Sequence, residues 1–203
     1  MIALIDYNMG NLRSVTNAFE KIGSSIEVVR DPEKIKDFDK LILPGVGAFK
    51  DAMEHLNTSG MNEAILEFSK TGKPLLGICL GMQLLLESSE EFGFCKGLGL
   101  IPGIVKEFDA TKFGEKLKVP HVGWNKLFKR ENSPILENLD DEIYLYFVHS
   151  FHASVEAKYT LGETFYGYDF ASAVHKDNIY GFQPHPEKSH EKGLKILENF
   201  TRI

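Results

Sequence analysis

Apolar residues recur along this chain with two different periods, and the change from one to the other divides it. Ile2–Asp6 is a short apolar run that stops at the polar turn Tyr7-Asn8-Met9-Gly10. Leu12, Val15, Phe19 and Ile22 then recur at helical spacing, with Gly23 as a natural stop. Ile26–Val29 predicts a second strand, closed by Asp31-Pro32, and Lys40–Leu43 a third, ending at Pro44-Gly45-Val46-Gly47. Helices are predicted over Ala48–Leu56 and Met61–Lys70, a strand over Pro74–Ile78, and a helix over Leu80–Ser88 directly after it. Strands alternating with helices imply parallel crossovers, hence a layered α/β fold around a central, mostly parallel sheet.

The second half is richer in strand pattern. Gly97–Phe108, Val119–Phe128, Ile143–Phe151 and Thr164–Val174 predict β-structure, and Ile179–Gln183 a late strand. An amphipathic helix near Lys192–Phe200 closes the chain, with Leu194, Leu197 and Phe200 facing inward. No internal repeat, low-complexity tract or linker interrupts this order, so residues 1–203 are expected to form one domain.

Composition narrows the function classes. Hydrophobic residues make up 43% and charged residues 26% of the 203, a globular balance. The net charge of -6 and the lack of a Lys/Arg block argue against nucleic acid as a partner. No apolar run approaches the length of a membrane span, and the N-terminus lacks the basic region and cleavage site of a signal peptide. These features predict a cytoplasmic protein. The two cysteines, Cys79 and Cys95, are too few for a disulfide scaffold, and no Cys/His cluster has zinc spacing.

The sharpest local signal is Lys73-Pro74-Leu75-Leu76-Gly77-Ile78-Cys79-Leu80-Gly81-Met82-Gln83. A buried strand runs into G-x-C-x-G and a helix follows, the arrangement of a nucleophile elbow with cysteine in place of serine. On such a strained turn, side chains two residues either side would crowd the nucleophile, and Gly77 and Gly81 remove them. The following helix points its positive end at the sulfur, and the N–H of Leu80 is placed to stabilise an oxyanion. A lone cysteine is more often a small buried apolar residue, and Cys95 fits that description. The flanking glycines set Cys79 apart.

A cysteine nucleophile needs a base, and the base needs a third group to hold its tautomer. His185 lies in Gln183-Pro184-His185-Pro186-Glu187, just past a late strand, with Glu187 close enough to orient the ring. Loops after parallel strands share one sheet edge, so His185 and Cys79 can meet. His149 and His121 are rival bases, while His55, His152, His175 and His190 have no persuasive context. The turn Pro44-Gly45-Val46-Gly47 is weak evidence by itself and lacks the Gly-Lys-Ser/Thr ending of a phosphate loop. Beside an elbow, its N–H groups can complete a two-donor oxyanion hole.

Together these three segments, in this order, resemble the class I glutamine amidotransferases, and most closely the glutaminase subunits of imidazole glycerol phosphate synthase. The resemblance spans essentially the whole chain. It includes Gly10-Asn11-Leu12-Arg13-Ser14, Gly97-Leu98-Gly99-Leu100-Ile101-Pro102-Gly103, Pro120-His121-Val122-Gly123-Trp124-Asn125 and Tyr146-Phe147-Val148-His149-Ser150. It implies a catalytic set of Cys79, His185 and Glu187, and an oxyanion hole from Gly45, Val46, Gly47 and Leu80. Glutamine binding would fall to Gln83, His149 and Ser150. It further implies hydrolysis of L-glutamine through a cysteine thioester, with no metal or organic cofactor. The ammonia would pass to a cyclase subunit of (β/α)8-barrel type in a heterodimer of histidine biosynthesis. Asn11, Trp124, Tyr146 and Lys188 match family positions at or near that interface.

Position 184 is proline where the family usually has phenylalanine, Val122 replaces methionine, and Asn8 replaces glycine. With the ending Ser189-His190, these departures resemble a diverged branch that aminates or amidinates nucleotide sugars for surface polysaccharide. That branch is the alternative on substrate. A stand-alone cysteine hydrolase would ignore glutamine and need no partner. A non-catalytic binding module would leave Cys79 inert toward a glutamine-analogue electrophile.

Overall fold

A computed structural model describes residues 1–114 and 116–203. In chain order the strands and helices are β1 (Ile2–Ile5), α1 (Leu12–Lys21), β2 (Ile26–Val29), β3 (Lys40–Leu43), α2 (Phe49–Ser59), α3 (Met61–Ser69), β4 (Leu75–Ile78), α4 (Leu80–Leu84), β5 (Leu86–Ser89), β6 (Cys95–Lys96), β7 (Ile101–Glu107), β8 (His121–Lys129), β9 (Glu142–His149), β10 (Phe151–Ser154), β11 (Thr160–Phe165), β12 (Asp169–Lys176), β13 (Ile179–Phe182) and α5 (His190–Arg202).

The sheet runs β2-β1-β3-β4-β13-β12-β10-β7-β5-β6. From β2 to β13 every pairing is parallel, and from β13 to β7 every pairing is antiparallel. Side chains of the parallel strands alternate between two buried faces. Ala3 and Ile5 join the core with Phe49, Met53 and Phe68 of α2 and α3. Ile2 and Leu4 join the core with Phe19 of α1 and with Leu197 and Phe200 of α5. Burial on both faces is why these strands read as continuous apolar runs. Each fully buried Phe contributes about 1.5–3 kcal/mol over leaving it exposed.

Local signals account for the helix ends. Asn11 caps α1, its Oδ1 accepting from Ser14 N at 3.2 Å, and Val15, Ala18 and Phe19 form the buried face. In α5 the buried positions are Gly193, Ile196, Leu197, Asn199 and Phe200, while Leu194 packs half-buried at the margin.

The expected helix over Leu80–Ser88 is shorter. It ends at Leu84, and Leu86–Ser89 becomes β5, paired in parallel with β7. Leu84, Leu85 and Leu86 are all buried. A run of consecutive apolar residues does not separate helix from strand by period, and tertiary pairing decides. The expected strand over Thr164–Val174 is two strands, β11 and β12, hinged where Gly167 adopts φ 75°. Proline at 184 is accommodated because β13 already ends at Phe182, and the hydrogen bonds resume from Gln183 N to Ser172 O and from His185 N to Tyr146 O. Asn8 sits at φ 69°, a left-handed backbone that asparagine tolerates better than most residues, with its N–H on Asp6 Oδ1. No helix among the described residues is long and apolar enough to cross a membrane.

The β8–β9 pair projects from the antiparallel half. Its inner face carries Leu127, Ile143, Leu145 and Phe147, and ends with His121 directly opposite His149. Its outer face exposes Val122, Trp124, Tyr144 and Val148.

Candidate active site

Strand register builds the site. β4 and β13 are parallel neighbours with Ile78 opposite Phe182, so the residues that follow each strand leave the sheet at the same edge. Cys79 N donates to Phe182 O at 2.8 Å, which fastens the elbow to the histidine loop. Cys79 itself has φ 55° and ψ -113°, a strained backbone for a residue with a side chain. The glycines on either side are sterically required. A Cβ on Gly77 would lie 2.7 Å from Gly81 O, and one on Gly81 would lie 1.9 Å from Leu43 O. Because α4 has only five residues, its electrostatic contribution comes from its free first-turn N–H groups, that of Leu80 among them, rather than from a long dipole.

Cys79 opens into a cavity of about 420 Å³. Val46, Gly47, Leu80, Gln83, His149, Ser150 and His185 all line it, so the structure gathers the glycine turn, the elbow and the late histidine in one place. Gly45 lies beneath the wall: a Cβ there would meet Tyr7 Oη at 2.7 Å and Gly81 N at 2.8 Å. Tyr7, buried under the turn, donates its hydroxyl to Pro44 O at 2.8 Å. Burial, reinforced by Cys79, holds the Tyr7 phenol well above the usual range, so it stays a neutral donor.

His185 Nδ1 lies 2.8 Å from Glu187 Oε1, and both side chains are almost wholly enclosed, 3% and 2% exposed. Its Nε2 is buried without a hydrogen-bond partner. Burial disfavours charge on this ring, but Cys79 and Glu187 outweigh it and push the pKa up to about 10. The ring is thus an imidazolium at neutral pH, held by a carboxylate on one side and facing the sulfur on the other.

The rival bases have other roles. His149 Nδ1 is 2.8 Å from Phe151 O and its Nε2 is 3.0 Å from His121 Nδ1, so neither nitrogen is free to take a proton from Cys79. For the same reason the His149 side chain has no polar atom left to offer glutamine, although it forms part of the cavity wall. Burial drives the pKa of His149 down to about 3 and that of His121 to about 4. His152 bonds Tyr168 Oη and His175 pairs with Glu131, while His55 lies exposed on α2.

Three contributors escaped sequence reasoning. Gln183 is fully buried and donates Nε2 to Cys79 Sγ at 3.8 Å and accepts from Gln83 Nε2 at 2.9 Å. A buried amide at an apolar strand end is its only sequence signal. Tyr7 is signalled only as a polar-tipped residue ending β1. Glu91 reaches the cavity from beyond β5 and accepts from Phe49 N at 2.7 Å, and nothing local to the sequence marks it.

The residues matched to an interface lie around the same edge. Trp124 stacks on His190 with centroids 5.0 Å apart and meets Tyr146 edge-on at 6.1 Å. Lys188 follows His185 in the same short turn, and Asn11 is exposed at the start of α1.

A cysteine on a positive-φ elbow, a carboxylate-held imidazole and a glycine turn in one cavity define a class of enzyme, and comparison with known proteins agrees. The family described as "Glutamine amidotransferase class-I" matches residues 3–203, and the chain belongs to that family. It is 66% identical to the imidazole glycerol phosphate synthase subunit HisH of Sulfurimonas denitrificans, over all of this chain and 98% of that one. It is 55% identical to the same subunit of Wolinella succinogenes, over the full length of both. Among solved structures, PurLQS from Thermotoga maritima shares the fold, with a TM-score of 0.78 at 20% identity over 99% of this chain and 97% of that one.

Proposed function

We propose that this chain is the glutaminase subunit of an imidazole glycerol phosphate synthase, supplying ammonia in histidine biosynthesis. The observation that carries the chemistry is the buried His185 ring, tied by Nδ1 to Glu187 and presenting a free Nε2 to the Cys79 cavity. The Cys79 sulfur attacks the side-chain carboxamide carbon of glutamine. The tetrahedral oxyanion is received by N–H groups of Leu80 and of the Gly45–Gly47 turn. His185 Nε2 gives its proton to the departing nitrogen as the C–N bond breaks, releasing ammonia and leaving a glutamyl thioester. Water then attacks the thioester and His185 accepts its proton; the C–S bond breaks, glutamate leaves with its new carboxyl proton lost to solvent, and His185 is an imidazolium again, as at the start. Gln83 and the backbone around Ser150 hold the substrate, and the Glu91 carboxylate receives its α-ammonium group.

The partner is a cyclase of (β/α)8-barrel type, docked on the edge marked by Asn11, Trp124, Tyr146 and Lys188. The exposed apolar residues Val122, Trp124 and Val148 suit such a contact. A covered passage has a chemical purpose, because ammonia free in neutral water is protonated and loses its nucleophilicity. Full-length identity of 66% to a HisH subunit favours this reading over the nucleotide-sugar branch. A cytoplasmic location fits two free cysteines. The test is labelling with a glutamine-analogue electrophile followed by peptide mass spectrometry. A single adduct on Cys79, blocked by glutamine, is expected, and labelling of Cys95 alone would refute the assignment.

A further inference from the structure

The two histidines removed from proton chemistry lie in a hydrogen-bond chain whose every direction is fixed by its ends. Phe151 O accepts only, and it takes hydrogen bonds from His149 Nδ1 at 2.8 Å and Gln83 Nε2 at 3.0 Å. His149 therefore carries its proton on Nδ1, and its Nε2 must accept. His121 Nδ1, 3.0 Å away, must then be the donor, which leaves His121 Nε2 as the acceptor for Asn125 Nδ2 at 3.2 Å. The same Asn125 amide donates to Phe165 O at 2.9 Å, a second acceptor-only anchor. On the other side of Phe151 O, Gln83 has one N–H on that carbonyl and the other on Gln183 Oε1. Gln183 in turn donates to the nucleophile sulfur. An amide turned the other way would set oxygen against oxygen at Phe151.

The His121 ring is clamped as well as bonded. It stacks between Phe147 at 4.8 Å and Tyr166 at 4.0 Å, each inclined by only 24°. Burial keeps both imidazoles neutral, which the chain requires, since a second proton on either ring would place donor against donor within it.

We propose that His121 is a positioning residue: its Nδ1–H fixes His149 as an Nδ1–H donor to Phe151 O, and so holds Gln83 and Gln183 in register beside Cys79. His121 touches neither substrate nor sulfur and reaches the sulfur only through His149, the Phe151 carbonyl, Gln83 and Gln183. Without its N–H, His149 Nε2 is left buried and unpaired. The ring then escapes by changing tautomer or turning, and Phe151 O loses the bond that opposes Gln83. The cavity wall that receives glutamine is displaced, while Cys79, His185 and Glu187 keep their own contacts.

The consequence for activity rests on the glutaminase reading, whereas the tautomers do not, and the experiment separates them. Long-range ¹H–¹⁵N correlation on histidine-labelled wild type should show His121 and His149 both as neutral Nδ1–H tautomers at pH 7. His121→Phe, which keeps an aromatic between Phe147 and Tyr166, should abolish the His149 Nδ1–H signal. It should raise KM for glutamine about tenfold with kcat changed less than about threefold. His121→Asn, which restores an N–H donor near the Nδ1 position, should recover most of the lost affinity. His149 found as the Nε2–H tautomer in wild type overturns the proposal whether or not any variant folds. So does unchanged KM in a folded His121→Phe, or an Asn variant no better than Phe. Wild type that never releases glutamate defeats the glutaminase reading and leaves the tautomer result to stand or fall alone.

Discussion

His185 and His149 are both buried, both line the cavity at Cys79, and differ in charge. His185 comes from the loop after β13, on the parallel half, and is held as an imidazolium with its pKa pushed up to about 10. His149 ends β9, on the antiparallel half, and is held neutral with its pKa driven down to about 3. Burial penalises the charged ring in both places; at His149 it is the leading cause and wins over the Phe151 carbonyl, whereas at His185 the neighbours outweigh it. His185 has the Glu187 carboxylate on Nδ1 and the sulfur ahead of it, whereas His149 has a carbonyl on one nitrogen and another imidazole's N–H on the other. In the proposed mechanism the parallel half supplies the proton chemistry and the antiparallel half the shape of the wall.

The largest effect should follow removal of the nucleophile. Cys79→Ser is expected to lower glutamine-dependent glutamate release on the order of 10⁴-fold, while the partner still uses added ammonium. Loss of the ammonium-dependent reaction as well would break the two-site account. Glu187→Gln removes the group that charges His185, and should cost roughly 10²–10⁴ in kcat. It should also move the alkaline limb of kcat/KM down from about 10, because the carboxylate is one of the causes that raise that pKa. An unmoved limb would mean that Glu187 does not tune His185.

Gly81→Ala tests the elbow itself. The added Cβ meets the Leu43 carbonyl, so about 3 kcal/mol of stability should be lost, read as a lowered denaturant midpoint. The smallest effect is a difference in pH dependence. His149 and His121 have depressed folded pKa values, so between pH 6.5 and about 4 the unfolded chain binds more protons and their contribution to stability falls as pH falls. His185 has the opposite sign: its contribution is complete below pH 6.5 and is lost as pH rises through about 10. Denaturant midpoints across pH should show His121→Phe flattening the acid side and leaving the alkaline side unchanged.

Much of this was legible in the sequence because it is written in local sterics. The G-x-C-x-G turn requires its glycines, the Pro-His-Pro-Glu segment places acid next to base, and the parallel alternation brings their loops to one edge. What escaped depends on register between distant strands. His121 stands opposite His149 only because β8 and β9 pair as they do, and no local pattern announces it. Gln183 looked like part of a strand end, and Glu91 lies beyond a stretch that reads as helix and folds as β5. The error at Leu86–Ser88 has the same origin, since consecutive leucines satisfy a buried strand as readily as a helix.

The most direct test is glutamate release from glutamine by the purified chain, alone and with the matching cyclase and its ribonucleotide ligand. Low release alone and strong stimulation by the pair is the expected result, with the partner completing the oxyanion turn. Equal release with and without the cyclase and its ligand would contradict the assignment to imidazole glycerol phosphate synthase.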